Sequence, residues 1–191
     1  TQIQLGHYEE AKASMQESIQ LCEQSKNRWG LGTAYRYLGW ACLGAGQFTE
    51  AKAHLLKSLE IFHEFSEGWD HARTLNYLGE ATRLEGDPAE ARKIYQQTLQ
   101  ASLEAQSIPI ALDAFLGISH LEAQAGEKEN ALVLCSYILS HPASEGETRS
   151  RAEQLRNTLE GQLNPEQVEA ARSQAAEKDF EWMVRLAQGG G

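Results

Sequence analysis

Four segments of this chain align without a gap at a constant interval of 40 residues: Gly6-His-Tyr-Glu-Glu-Ala11, Gly46-Gln-Phe-Thr-Glu-Ala51, Gly86-Asp-Pro-Ala-Glu-Ala91 and Gly126-Glu-Lys-Glu-Asn-Ala131. The register extends to Trp29 and Trp69, to Tyr35, Leu75 and Phe115, to Leu38, Leu78 and Ile118, to Gly39, Gly79 and Ser119, and to Ile19, Leu59, Leu99 and Leu139. A fixed period between about 20 and 50 residues marks a chain built by stacking one supersecondary unit, because a single unit cannot bury its own apolar face. The 191 residues therefore read as three and a half such units followed by a closing segment.

Inside each unit the apolar spacing is helical. Tyr35, Leu38, Cys42 and Leu43 form one face, and Ala51, Leu55, Leu59 and Phe62 another, at the i, i+3, i+4, i+7 steps of an amphipathic helix. Composition agrees: 48 leucines and alanines stand against 11 valines and isoleucines, a ratio that favours helix over strand. The expected fold class is all-α, each unit being two helices joined at a tight glycine turn. Gly46 and Gly86 suit a backbone that leaves one helix in a left-handed conformation, and Asp87-Pro88 is an N-cap followed by a first-turn proline. Gly39 and Gly79 fall in mid-helix, where glycine costs about 1 kcal/mol relative to alanine. Their expected reason is close approach of the paired helix, carrying Ala51 or Ala91 twelve residues later.

An aromatic residue, Leu-Gly three residues on, and alanine twelve after that glycine is the pattern of Tyr35, Leu38-Gly39 and Ala51. It returns as Leu75, Leu78-Gly79 and Ala91, and as Phe115, Ile118-Ser119 and Ala131. It resembles the tetratricopeptide repeat (TPR), whose usual period is about 34 residues. The six extra residues lie between units, as in the longer repeats of the kinesin light chain and of bacterial regulators of the maltose-activator type. The resemblance implies a right-handed α-solenoid of antiparallel helix pairs with C-terminal capping helices. The expected divisions are a TPR array over 1–140, made of a half repeat at 3–24 and full repeats at 30–65, 70–105 and 109–140. Capping helices over 141–188 and a flexible tail at 189–191 complete the chain. Within the cap, residues 147–162 are expected to form one helix. Asn164-Pro165-Glu166-Gln167 supplies an N-cap, a first-turn proline and a capping-box glutamine for a last helix reaching Ala187. A start at Thr1 on half a repeat implies a piece of a longer protein, and a truncated repeat offers a surface for self-association.

The resemblance places a binding groove along the first helix of each pair. Carried over residue by residue, its wall comprises Thr33, Arg36, Tyr37, Trp40 and Leu43, then Arg73, Asn76, Tyr77, Glu80 and Arg83, then Asp113, Leu116, His120 and Ala123. Arg36, Arg73, Arg83, Asn76 and His120 would form a basic, hydrogen-bonding strip beside Tyr37, Trp40 and Tyr77. Arginines and aromatics are the types that most often anchor interfaces. The expected ligand is an acidic or carboxylate-bearing segment, from a partner or from another domain of the same polypeptide. The other readings are that the charges are solvated or pair within the groove, Glu80 with Arg83 or Arg36. The two-carboxylate clamp of chaperone-binding TPRs has only Asn76 to suggest it.

Several functions are excluded or disfavoured. With 17 Lys and Arg against 27 Asp and Glu, the net charge of −10 repels a phosphate backbone, and nucleic-acid binding is not expected. No apolar run approaches the roughly 20 residues of a membrane span, and the N-terminus lacks a signal peptide's basic and apolar regions. A cytoplasmic location is expected. No HExxH, GxSxG, Walker A or GxGxxG motif occurs, so neither enzyme activity nor a cofactor is expected. Cys22, Cys42 and Cys135 read as helix-packing residues, and His54, His63 and His71 do not read as metal ligands. Residues 163–172 and 180–187 are similar to the closing helices of bacterial multidomain regulators that join a STAND-type signal-transduction NTPase to a C-terminal TPR sensor. That resemblance implies a non-catalytic sensor arm. A small-ligand receptor groove and a structural or oligomerisation spacer are the alternatives.

Overall fold

A computed structural model describes residues 6–65, 68–144 and 146–189. The first residues of the expected half repeat, 3–5, and Gly190 and Gly191 of the expected tail lie outside the described residues. Among those described there are ten α-helices, one 3-10 turn and no strand, which is the all-α class read from the sequence. The chain divides into two compact units, Thr1–Ala105 and Gln106–Gly191.

The first unit contains α1 (Tyr8–Gln24), α2 (Arg28–Gly44), α3 (Phe48–Phe62), a 3-10 turn (His63–Phe65), α4 (Trp69–Glu85) and α5 (Pro88–Glu104). Each helix packs on the next in chain order, the nearest-neighbour arrangement of a repeat stack. The helices pack through buried residues: Leu38 and Cys42 of α2, Ala51, Leu55 and Phe62 of α3, Leu75, Leu78 and Ala81 of α4, and Ala91, Tyr95 and Leu99 of α5. Burying each such leucine contributes about 1.5–3 kcal/mol. The Ser58 hydroxyl, buried on α3, donates to the Gly32 carbonyl of α2 at 2.8 Å and is satisfied there.

Local chemistry sets the ends of the elements. Asp87 accepts from the Glu90 N–H at 3.0 Å with Pro88 in the first turn. Gly46 and Gly86 take φ of +76° and +103°, the left-handed exit expected of them. The close approach at the mid-helix glycines is also present, but the contacting group differs between the two. A Cβ on Gly39 would stand 2.6 Å from Leu55 Cγ and 3.2 Å from the Ala51 carbonyl oxygen, whereas one on Gly79 would stand 2.8 Å from the ring of Tyr95.

The second unit contains α6 (Ile108–Ala125), α7 (Lys128–Ser140), α8 (Gly146–Glu160), α9 (Pro165–Glu177) and α10 (Phe180–Ala187). Here the packing is centred on α7, which touches α6, α8, α9 and α10. The reason is legible in its composition: Ala131 to Cys135 are five consecutive buried residues, followed by Tyr137 and Ile138. A helix apolar on every side needs neighbours on every side. The capping box forms as expected, Asn164 accepting from the Gln167 N–H at 2.9 Å and Gln167 from the Asn164 N–H at 3.1 Å. The single last helix expected to Ala187 is in fact two. Lys178 turns to an extended conformation and Asp179 caps a new helix, accepting from the Trp182 N–H at 2.8 Å. The break lets α10 lay Phe180 against Phe115 and Tyr137, with centroids 5.5 and 6.5 Å away.

Candidate partner-binding face

The first helices of successive pairs, α2 and α4, touch one another. On α2 one face carries Thr33, Arg36, Tyr37 and Trp40, and on α4 Trp69, Arg73, Asn76, Tyr77, Glu80 and Arg83. Each set follows the three-and-four spacing of one helix side. The 40-residue period places Tyr37 and Tyr77 at equivalent positions, but the contacts run diagonally. Trp40 stacks on Tyr77 with centroids 5.4 Å apart and planes 10° from parallel, while Tyr37 tilts against Trp40 at 6.1 Å. Tyr37 and Trp40 also pack with Tyr8 against Ala11 and Ala41, which anchors the row to α1.

The arginines are held by what surrounds them. Arg36 is only 4% exposed, and its Nη2 donates to Asp70 Oδ1 at 2.9 Å. Its guanidinium lies 4.9 Å from the Tyr37 ring centroid and 5.1 Å from that of Trp69. Arg73 approaches the same Trp69 ring at 5.4 Å and Tyr77 at 6.0 Å. Trp69, 47% exposed, is therefore flanked by two cations, an attraction worth about 0.5–2 kcal/mol for each pair. Further along α4, Arg83 forks onto Glu80 through Nε at 3.0 Å and Nη2 at 2.9 Å. The Tyr95 hydroxyl donates to the same carboxylate at 2.9 Å. Burial, and the Glu80 carboxylate beside it, push the Tyr95 phenol well above its usual range, so it stays a donor throughout the neutral range.

Of the pairings read from the sequence, Glu80 with Arg83 forms, and the partner of Arg36 is Asp70 instead of Glu80. The strip is thus more aromatic and less basic than its residue types suggest, since Arg36 and Arg83 each meet a carboxylate of the chain itself. Asn76 lies between Arg73 and Tyr77 with its Oδ1 buried and without a hydrogen-bond partner among the described residues. His120 belongs to α6 of the second unit, where it is partly buried. Two other α6 positions expected on the groove wall are corrected. Leu116 is core, and Asp113 accepts a hydrogen bond from Thr148 of α8. Asp113 stays partly exposed where α8 packs on α6 within that unit.

Trp69, Asp70 and the buried Tyr95 of α5 interact with this face but were not among the groove positions read from the sequence. Trp69 was visible as the periodic mate of Trp29. Asp70 and Tyr95 carried no signal, because their roles depend on how neighbouring helices are rotated.

No described helix is long and apolar enough to cross a membrane. Comparison with protein families finds the tetratricopeptide repeat at residues 2–64 and again at 71–105, together just over half of the chain. No curated protein and no solved structure matches it. Helix pairs stacked in chain order, glycines at the points of closest approach and two separate family matches lead to one conclusion: this chain is a tetratricopeptide-repeat protein.

Proposed function

We propose that this chain, built of tetratricopeptide repeats of the kind that generally mediate protein–protein interaction and are typically non-catalytic scaffolds, is a non-catalytic interaction module that takes an extended, carboxylate-bearing segment of a partner along the α2/α4 face. The observation that carries this reading is the half-exposed ring of Trp69 with the Arg73 guanidinium 5.4 Å from its centroid, backed by the buried Arg36–Asp70 pair. Cations ordered against an aromatic plane lose little rotamer freedom when an anion arrives, and Trp and Arg are the usual hot-spot types. A sugar-like small ligand is less well served. The flat face it would stack on at Trp40 is already occupied by Tyr77.

The larger setting proposed is the cytoplasmic, C-terminal sensor arm of a bacterial signal-transduction NTPase or transcriptional regulator. The likeness of residues 163–172 and 180–187 to the closing helices of such proteins supports it, and the partner segment then belongs to another protein or to another domain of the same polypeptide. In this reading the repeats occupy 30–65, 70–105 and 109–140, residues 141–188 close the stack, and the half repeat at the start offers a surface for self-association. A Walker A sequence encoded upstream of Thr1 is the expected finding for the larger setting.

The groove is tested by panning a random-peptide library against the chain and titrating the enriched peptides. Acidic peptides are expected, with affinity falling about 30-fold or more in Arg73→Glu and in Trp69→Ala, the measure of a hot-spot side chain. Enrichment of neutral or basic peptides, or unchanged affinity in both variants, would overturn the reading.

A further inference from the structure

A second cluster lies at the elbow between α2 and α3 and takes no part in the face described above. Cys42 sits in the last turn of α2, Glu50 in the first turn of α3, and His54 one turn further along α3. The sequence separates Cys42 from Glu50 by eight residues and a glycine turn, and so offers none of the familiar zinc spacings. The hairpin nevertheless folds the three together, with one ligand atom from each, a thiol sulfur, a carboxylate oxygen and an imidazole nitrogen, all within 4.8 Å of one another.

We propose that Cys42, Glu50 and His54 form a binding site for a divalent transition-metal ion, with zinc the best chemical fit. Tetrahedral zinc, with bonds of about 2.0–2.3 Å, holds its ligand atoms roughly 3.3–3.7 Å apart. His54 Nε2 and Glu50 Oε1 already stand at 3.8 Å, and the rest needs only side-chain rotation about helices that hold still. One sulfur, one nitrogen and one oxygen is a donor set that suits zinc better than calcium or magnesium, which want oxygen alone. Three protein ligands leave a fourth position for water or for a further donor.

The surroundings fit a bound cation at His54 and oppose it at Cys42 and Lys12. Burial holds the His54 imidazole below its usual range, so the neutral, ligating form prevails at neutral pH, and its Nδ1 is buried without a hydrogen-bond partner. Tyr35 stacks on the ring at 6.0 Å and limits its orientations. Burial also pushes the Cys42 thiol up to about 11, so binding releases one proton: the S–H bond breaks, the thiolate binds the metal, and the proton leaves to solvent. Opposing the metal is Lys12 of α1, whose ammonium lies 3.9 Å from Glu50 Oε2 and hydrogen-bonds Gln47 at 2.8 Å. Lys12 is a competing cation at the same carboxylate, and its removal strengthens the site.

The experiment uses the purified 191-residue chain, reduced and stripped with a chelator, titrated with zinc against a chromogenic competitor and separately with cobalt(II). One zinc per chain is expected, together with a thiolate-to-cobalt charge-transfer band and a thermal midpoint that rises with zinc. His54→Gln and Glu50→Gln alter side chains that are each partly exposed; each is expected to weaken zinc at least ~10-fold. Cys42→Ser should abolish the charge-transfer band, Cys22→Ser should keep it, and Lys12→Met should bind zinc more tightly than the unaltered chain. Absence of stoichiometric zinc, affinity unchanged in both His54→Gln and Glu50→Gln, or a charge-transfer band that survives Cys42→Ser would overturn the proposal.

Discussion

The guanidinium of Arg36 illustrates how much one residue's role depends on its company. A cation that is 4% exposed is tolerable only because Asp70 meets it at 2.9 Å and two aromatic rings lie within about 5 Å of it, close enough for cation–π attraction. Removing one member of a buried ion pair costs far more than the pair contributes, since the remaining charge is stranded. Asp70→Ala is therefore expected to lower unfolding free energy by about 3 kcal/mol, whereas Arg36→Met combined with Asp70→Leu, which removes both charges, should leave it within about 1 kcal/mol. Urea unfolding of the two variants checks this. Equal losses would mean that Arg36 contributes by packing and not by charge. The place of Arg36 on the same helix side as Tyr37 and Trp40 was readable from spacing; its burial and its partner 34 residues on were not.

At the scale of the element, glycines 40 residues apart do similar work against different neighbours. Gly79 lies in the middle of α4, where alanine would add about 1 kcal/mol of helix propensity. The added methyl would stand 2.8 Å from the ring of Tyr95, which is fully buried and tethered through its hydroxyl to Glu80. A rigid ring held at both ends cannot retreat, and overpacking of this kind costs about 1–3 kcal/mol. Gly79→Ala should thus destabilise the chain, and Gly79→Ala combined with Tyr95→Leu should recover most of the loss, as measured by thermal melting. If Gly79→Ala alone raises the melting point, the close approach is not limiting. The need for a small residue was legible from the period, but the ring that imposes it was not. Likewise, the cap at Asn164 was readable because its partner is three residues away. The break at Lys178 was not, because residues 175–187 retain good helix formers and the reason for the turn is the seat of Phe180 beside Phe115 and Tyr137.

For the molecule as a whole, the consequential feature is that each of the two units has its own core. The first is a stack in which every helix leans on its chain neighbours, so its stability is a sum of local interfaces. A fragment of residues 1–105 is expected to remain helical and to melt cooperatively, as read by circular dichroism. Loss of helicity would show that the stack depends on residues beyond Ala105. The second unit departs from the stack by surrounding α7, and the run Ala131-Leu-Val-Leu-Cys135 already carried that information as a helix with no polar side.

What the amino-acid order determined by itself is everything that acts over a few residues or repeats at fixed distance: the all-α class, the 40-residue unit, the glycine exits, the caps at Asp87 and Asn164, and the family. These follow from periodicity and from contacts three or four residues apart, which survive any rearrangement of the helices. Only the tertiary structure decided which charges meet, which ring limits Gly79, and that Cys42, Glu50 and His54 converge. Such contacts depend on the rotation and rise of one helix against another, and those are set by packing the whole core at once.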